Sequence, residues 1–297
     1  MSVTDSLGRP EPWPAPGKLN LFLHVVGRRP DGYHRLQTAF QFIDLCDELR
    51  FWVRPSGVIE RLSDLPGVPA DDDLCVRAAR TLAGRAGGVP RPGVAIEVAK
   101  RLPVQGGVGG GSSDAATVLV ALNELWGLRL PDGALAEIGL SLGADVPVFV
   151  HGRAAWAEGV GEELTPLELP EPVYLLVRPD ATVSTADVFK APELTRDSPA
   201  IKIGDFLQTG GRNDCEPVVR RRFPAVGEAL DWLEGFAPAR LTGTGSCVYA
   251  AMPDEARARA ALASLPRRWT GYVVRGLNRS PLAARRRLEQ SAGGPGR

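Results

Sequence analysis

From Gly17 to Gly27, Leu19, Leu21, Leu23 and Val25 alternate with Lys18, Asn20, Phe22 and His24. This period of two predicts a strand with one face on a core, and it turns Lys18 and Asn20 to the same side. A second extended region is expected over Phe40–Val53, and the connection to it carries Asp31-Gly32-Tyr33-His34 with Asp31-Gly32 as its turn signal. Beyond Asp71-Asp72-Asp73 the spacing becomes helical over Leu74–Leu82. Val94, Ile96 and Val98 then restore the strand period up to Lys100-Arg101.

Pro103 opens a glycine-rich loop that runs through Gly111. A helix follows, with Ser112, Ser113 and Asp114 as N-cap candidates and Ala116, Leu119, Val120, Asn123 and Trp126 at helical spacing. A further helix is expected over about Ala134–Leu142, ending at Gly143 with Pro147 blocking its continuation. The segment Gly161–Pro172, rich in proline and glutamate and without hydrophobic periodicity, reads as a seam between two halves. After it the pattern alternates: strand Val173–Val177, helix Phe223–Phe236, strand-turn region Arg240–Ala251, helix Asp254–Leu265, strand Tyr272–Val274. That alternation predicts an α+β chain.

Composition narrows the function classes. At 297 residues, with 44% hydrophobic and 24% charged residues, two folded domains fit the length. Thirty-five basic residues balance thirty-five acidic ones, so no global field draws the chain to nucleic acid or anionic lipid. No apolar run reaches the length of a membrane span, and the opening residues lack the basic and apolar regions of an export signal. The four cysteines form no CxxC and the three histidines no metal motif, which predicts reduced thiols, a cytoplasmic location and no resident metal. No protein partner is evident.

Chemistry concentrates in glycine. Five glycines in Gly106–Gly111 lead into a helix, so backbone N–H groups can converge on an anion such as phosphate; a tight loop that brings strand and helix together is the other use of such a run. It is neither a Lys-Ser/Thr P-loop nor GxGxxG. A second glycine turn, Leu241–Cys247, suits a hairpin or a loop closing over the first. Asp145, at a helix-end turn, suits either a cap or a proton acceptor. Lysine is scarce, only Lys18, Lys100, Lys190 and Lys202 against 31 arginines; Lys18 suits either a solvated strand position or a close contact of a compact ammonium with one oxygen.

Taken together, Pro14–Leu21, Pro103–Ser113 and Leu241–Cys247 resemble the three motifs of the GHMP kinases, in order. Gly27–His34, Leu142–Phe149 and Asn213–Glu216 are similar to a branch of that family acting on a cytidine diphosphate derivative. The resemblance spans Trp13 to about Leu282. It implies a two-domain α+β fold, residues 1–162 like the second domain of ribosomal protein S5 and residues 163–287 ferredoxin-like; residues 288–297, small, polar and rich in glycine and proline, read as a disordered tail. It implies ATP, arriving with Mg²⁺, as phosphoryl donor and a cleft between the domains as active site. There Asp145 would be general base and Lys18 its partner, with Pro103, Gly106, Gly107, Val108, Gly109, Gly110, Gly111, Ser112 and Ser113 around the phosphates. Gly243, Thr244, Gly245 and Ser246 would form the second loop, and Asp73 and Lys100 would line the adenine side. Tyr33 and Phe189 would sandwich the cytosine, His34 would bond its edge, and Asn20 and Thr185 would reach substrate hydroxyls. Two positions depart from the family pattern: Gln105 stands where a small residue is usual, and Val108 where leucine is.

Overall fold

The computed structural model describes residues 8–30, 32–55, 57–65, 67–85 and 93–292. Asp31, half of the expected turn signal, lies outside them, as do residues 293–297 of the expected tail. Two long strands come first: β1 (Trp13–Arg28) and β2 (His34–Arg54), paired antiparallel from Trp13 opposite Leu49 to Arg28 opposite His34. Then follow β3 (Ile59–Arg61), α1 (Leu74–Arg85), β4 (Gly93–Ala99), α2 (Gly110–Leu125), α3 (Asp132–Leu140), α4 (Val146–His151), β5 (Ala155–Glu158) and β6 (Glu163–Pro166). The second half holds β7 (Val173–Arg178), α5 (Thr185–Lys190), α6 (Ile203–Thr209), α7 (Glu216–Arg222), α8 (Pro224–Glu234), β8 (Ala239–Leu241), β9 (Val248–Met252), α9 (Glu255–Ala263), β10 (Thr270–Leu277) and α10 (Pro281–Ala292).

The sheet runs β3-β4-β2-β10-β7-β9-β8, with β1 and the β5–β6 hairpin also paired to it through β2. Strand β10 joins the halves, pairing with β7 along its length and with β2 at Gly276–Ile43 and Leu277–Phe42. Helix α2 is buried on nearly all sides, from Ser113 to Asn123, which is why its sequence shows apolar residues without a clean stripe. Its core gathers Phe42, Leu49, Ile96, Leu119, Leu122 and Phe149. A separate core fills the second half around Leu175, Val188, Leu230 and Val248. A third cluster bridges them, with Leu19, Ile43 and Leu102 against Tyr174, Leu176, Tyr249 and Val274.

Four expectations change. Strand β1 is buried on both faces, not one: Leu19 packs in the bridging cluster while Phe22 packs on Trp156 and Phe206. Helix α2 begins at Gly110, and its N-cap is Gly109 in the left-handed region (φ 74°), so Ser112, Ser113 and Asp114 sit inside the first turns. Pro147 does not block a helix but starts α4, where its missing N–H costs no hydrogen bond. The stretch beyond 287 continues as helix to Ala292, and α10 packs on the first half, with Leu282 in the α2 core. Within the seam Gly161–Pro172, Glu163–Pro166 forms β6, a strand too short and too polar to carry a readable period. Among the described residues no helix is long and apolar enough to cross a membrane.

Candidate active site

The free edge of β1 organises the site. Pro14 and Pro16 have no N–H to offer a further strand, and opposite its pairing with β2 the strand makes an isolated bridge from Leu23 to Asn213. The other side takes the glycine loop through Lys18 N–H to Val108 O (2.9 Å). The loop in turn holds the second glycine turn: Ser246 N–H donates to Gln105 O (3.3 Å), Cys247 N–H to Gly106 O (3.1 Å), and Thr242 Oγ1 to Gly107 O (3.2 Å). The β8–β9 connection is thus both the hairpin and the closing loop that the sequence left open. A Cβ at Gly107 (φ 73°) would lie 2.2 Å from Thr242 O, so only glycine allows this approach. Gln105 itself adopts φ 55°, in the left-handed region.

Beside this junction lies a cavity of about 1340 Å³. The N-terminus of α2 opens into it through Gly109, Gly110, Gly111 and Ser112, and no side chain caps that end. Its first N–H groups are thereby left without a side-chain acceptor among the described residues, an arrangement that can hold an anion. Lys18 Nζ is 3% exposed and sits 3.2 Å from Asp145 Oδ2; it also donates to Asn20 Oδ1 (2.5 Å) and Gly107 O (3.2 Å) and stands over the Phe40 ring. Asp145 is the N-cap residue of α4, yet its side chain caps nothing, and one third of it stays exposed to the cavity. The carboxylate is free of the structural task that its position suggested.

The remaining expected residues divide. Pro103, Gly106, Gly107, Gly243, Thr244, Asn20, Tyr33, His34, Thr185 and Phe189 also line the cavity. Val108, Ser113 and Ser246 do not; Val108 is in the bridging core and both serines are fully buried. Gly245 lies behind the turn, its Cβ direction blocked by Leu241. Asp73 and Lys100 line the cavity with their charges already committed. Asp73 pairs with Arg61 (2.6 Å) and accepts Cys75 N–H at the start of α1. Lys100 donates to Asp47 and to Asp114 (2.7 Å). Burial works against the charge on Lys100, but Asp114 and Asp47 outweigh it and raise its pKa. Burial, with Asp47 adding to it and Lys100 opposing, pushes Asp114 up to about 7. Among the described residues Asp114 Oδ1 has no hydrogen-bond partner.

At the far end, Phe189 stacks on His34 with ring centroids 5.0 Å apart, while Tyr33 stands 66% exposed at the mouth. Thr185 Oγ1 lies 2.9 Å from Thr244 Oγ1, joining α5 to the second glycine turn. Sequence reasoning missed Thr38, which accepts from Asn20 Nδ2 (2.9 Å), and Thr242, which accepts from Asn20 N–H (3.0 Å). It also missed Arg196, which donates to His34 Nε2 (3.1 Å). Asn213, read as part of a motif without a role, holds the second turn through Leu241 O and Gly243 O. Among the described residues no cluster of three acidic, histidine or cysteine side chains could hold a metal ion.

A model of the GHMP kinases N terminal domain matches residues 73–153, and one of the GHMP kinases C terminal domain matches residues 195–271. The 4-diphosphocytidyl-2-C-methyl-D-erythritol kinase of Nitrosococcus oceani is 59% identical over 91% of this chain and 96% of that protein. Its counterpart from Halorhodospira halophila is 60% identical, over 91% and 94%. A crystal structure of 4-(cytidine 5'-diphospho)-2C-methyl-D-erythritol kinase superposes with a TM-score of 0.77 at 33% identity, covering 90% of this chain and 99% of that one.

Proposed function

The chain belongs to the GHMP kinases, and from that premise we propose that it transfers the γ-phosphoryl group of ATP to the 2-hydroxyl of 4-diphosphocytidyl-2-C-methyl-D-erythritol, with Asp145 as general base and Lys18 as its counter-charge. This step gives the 2-phosphate and ADP and belongs to non-mevalonate isoprenoid precursor synthesis. The observation that carries it is the Lys18–Asp145 pair at 3.2 Å, set beside the open end of α2.

Phosphoryl transfer asks little covalent chemistry of a protein and much positioning. The N–H groups at Gly109–Ser112 and the loop from Pro103 suit the triphosphate, with the helix end favouring its negative charge. Asp145 accepts the hydroxyl proton as the oxygen bonds to phosphorus and the bond to ADP breaks. Lys18 is held by Asn20, Gly107 and Asp145, so it stays against Asp145 and offsets charge growing on the transferred group. Asp73 and Lys100 serve the nucleotide side by anchoring α1 and the loop, their charges being already paired. Tyr33, His34 and Phe189 suit the cytosine, and Thr185 and Asn20 the neighbouring substrate hydroxyls. Mg²⁺ would come bound to ATP, as part of that substrate. Incubation with ATP, Mg²⁺ and the cytidine substrate, followed by ³¹P NMR, should show ADP and a new phosphomonoester. Their absence overturns this reading.

A further inference from the structure

Arg196 stands in the segment between α5 and α6 and lines the cavity. Its guanidinium makes four bonds: Nε to His34 Nε2 (3.1 Å), Nη1 to Leu194 O (2.9 Å), and Nη2 to Phe189 O (3.0 Å) and Ala191 O (2.7 Å). A guanidinium has only donors and keeps its proton at any pH the protein meets. The ring nitrogen that faces it must therefore present a lone pair. The single proton of neutral His34 is left on Nδ1, while Nε2 makes the ring's hydrogen bond among the described residues. Protonating both nitrogens would break the Arg196 bond and set two cations side by side. Burial first, then Arg196 and Arg28, hold the His34 pKa below its usual value.

We propose that Arg196 is a positioning residue that fixes His34 as the Nδ1–H tautomer, so that the pyrimidine pocket offers a donor where cytosine carries an acceptor at ring N3 and uracil carries an N–H. The proposal rests on the reading of this end of the cavity as the base pocket. Stacking on Phe189 cannot choose between the two bases, since each offers a similar π face. The hydrogen-bond edge can, because a mismatched donor pair leaves buried groups unpaired. With the other tautomer Nδ1 would become an acceptor and would favour uracil instead.

A simple clamp on the end of α5 would also explain three of the four Arg196 bonds, so the test must separate clamp from tautomer. Imidazole ¹⁵N shifts of His34 in the ligand-free enzyme at about pH 7.5 read the tautomer directly, and titration with CMP and UMP reads the choice of base. In the wild type Nδ1 should carry the proton and CMP should bind at least about tenfold tighter than UMP. Arg196→Met should shift His34 toward Nε2–H and shrink the CMP/UMP ratio about fivefold or more. Arg196→Lys, which keeps a donor, should restore part of both. An Nε2-protonated ring in the wild type overturns the proposal even where Arg196→Met does not fold, and leaves the kinase assignment standing. CMP and UMP weakening in parallel in Arg196→Met overturns it too and makes Arg196 a clamp. Lack of turnover of the cytidine substrate instead overturns the kinase reading itself.

Discussion

Asp145 shows how one side chain is released for chemistry by its neighbours. Its backbone starts α4, but Pro147 and the tight turn from Gly143 set that helix without help from the carboxylate, which is left to Lys18. Asp145→Asn keeps the shape and removes the proton acceptor, so kcat should fall about 10²–10⁴-fold with ATP affinity nearly unchanged by calorimetry. A near-normal kcat would send the search for the base elsewhere. Asp114 tests a different balance. Its pKa is raised by burial to about 7 in the folded chain, so the native state holds a proton that the unfolded chain has already lost. The resulting stability is full below the ordinary carboxylate pKa and drains away as pH rises toward about 7. Asp114→Asn removes that term. Urea unfolding from pH 4 to 8 should show the wild type losing stability relative to the variant across this window, and parallel profiles would refute the assignment. Lys18 and Asp145 were legible in the sequence because each sits in a recognisable segment. Arg196 was not, since its partner His34 is 162 residues away and nothing in its own neighbourhood marks it.

At the scale of elements, the site depends on two glycine turns locked backbone to backbone. Gly107 is the contact point, with positive φ and Thr242 O only 2.2 Å from where a Cβ would stand. Gly107→Ala must therefore open the junction. The left-handed backbone alone costs about 1–2 kcal/mol for a non-glycine residue, and the clash adds to it. The variant should unfold at lower urea and bind ATP more weakly, because Gly107 O also holds Lys18 and Thr242. Unchanged stability would mean that the turns are not coupled. This element was readable, as five glycines before a helix advertise close backbone approach. The long strands, α1, α8 and α9 were readable too, since each has enough residues to show a period. Helices α5, α6 and α7 were not: six or seven residues span barely two turns. The start of α2 was misplaced because good capping residues lie one turn inside it, while the cap is a glycine chosen for its backbone.

In the whole molecule the two halves share one sheet and one apolar cluster, and the last helix returns to the first half. The sequence suggested a boundary near 162 and a loose tail, because Gly161–Pro172 lacks periodicity and the terminal residues are small and polar. It could not show that β10 would pair with β2, or that α10 would lay Leu282 into the α2 core with Arg286 bound to Glu124 (2.7 Å) and Asp132 (2.5 Å). Arg285 completes the contact over the Trp13 ring. These links predict that the halves unfold as one cooperative unit. Leu282→Ala, a truncation at a side chain 2% exposed, should cost about 2–5 kcal/mol although Leu282 stands outside the cavity. Because Tyr174, Tyr249 and Val274 of the second half pack on Leu19 and Ile43 of the first, the loss should appear as one transition at lower urea with an unchanged slope. Fluorescence reports from Trp13, Trp52, Trp126 and Trp156 in the first half and from Trp232 and Trp269 in the second, and far-UV circular dichroism should coincide with it. Two separated transitions, with only the first-half signals moved by Leu282→Ala, would mean that the shared sheet does not couple the halves and that α10 stabilises one domain alone.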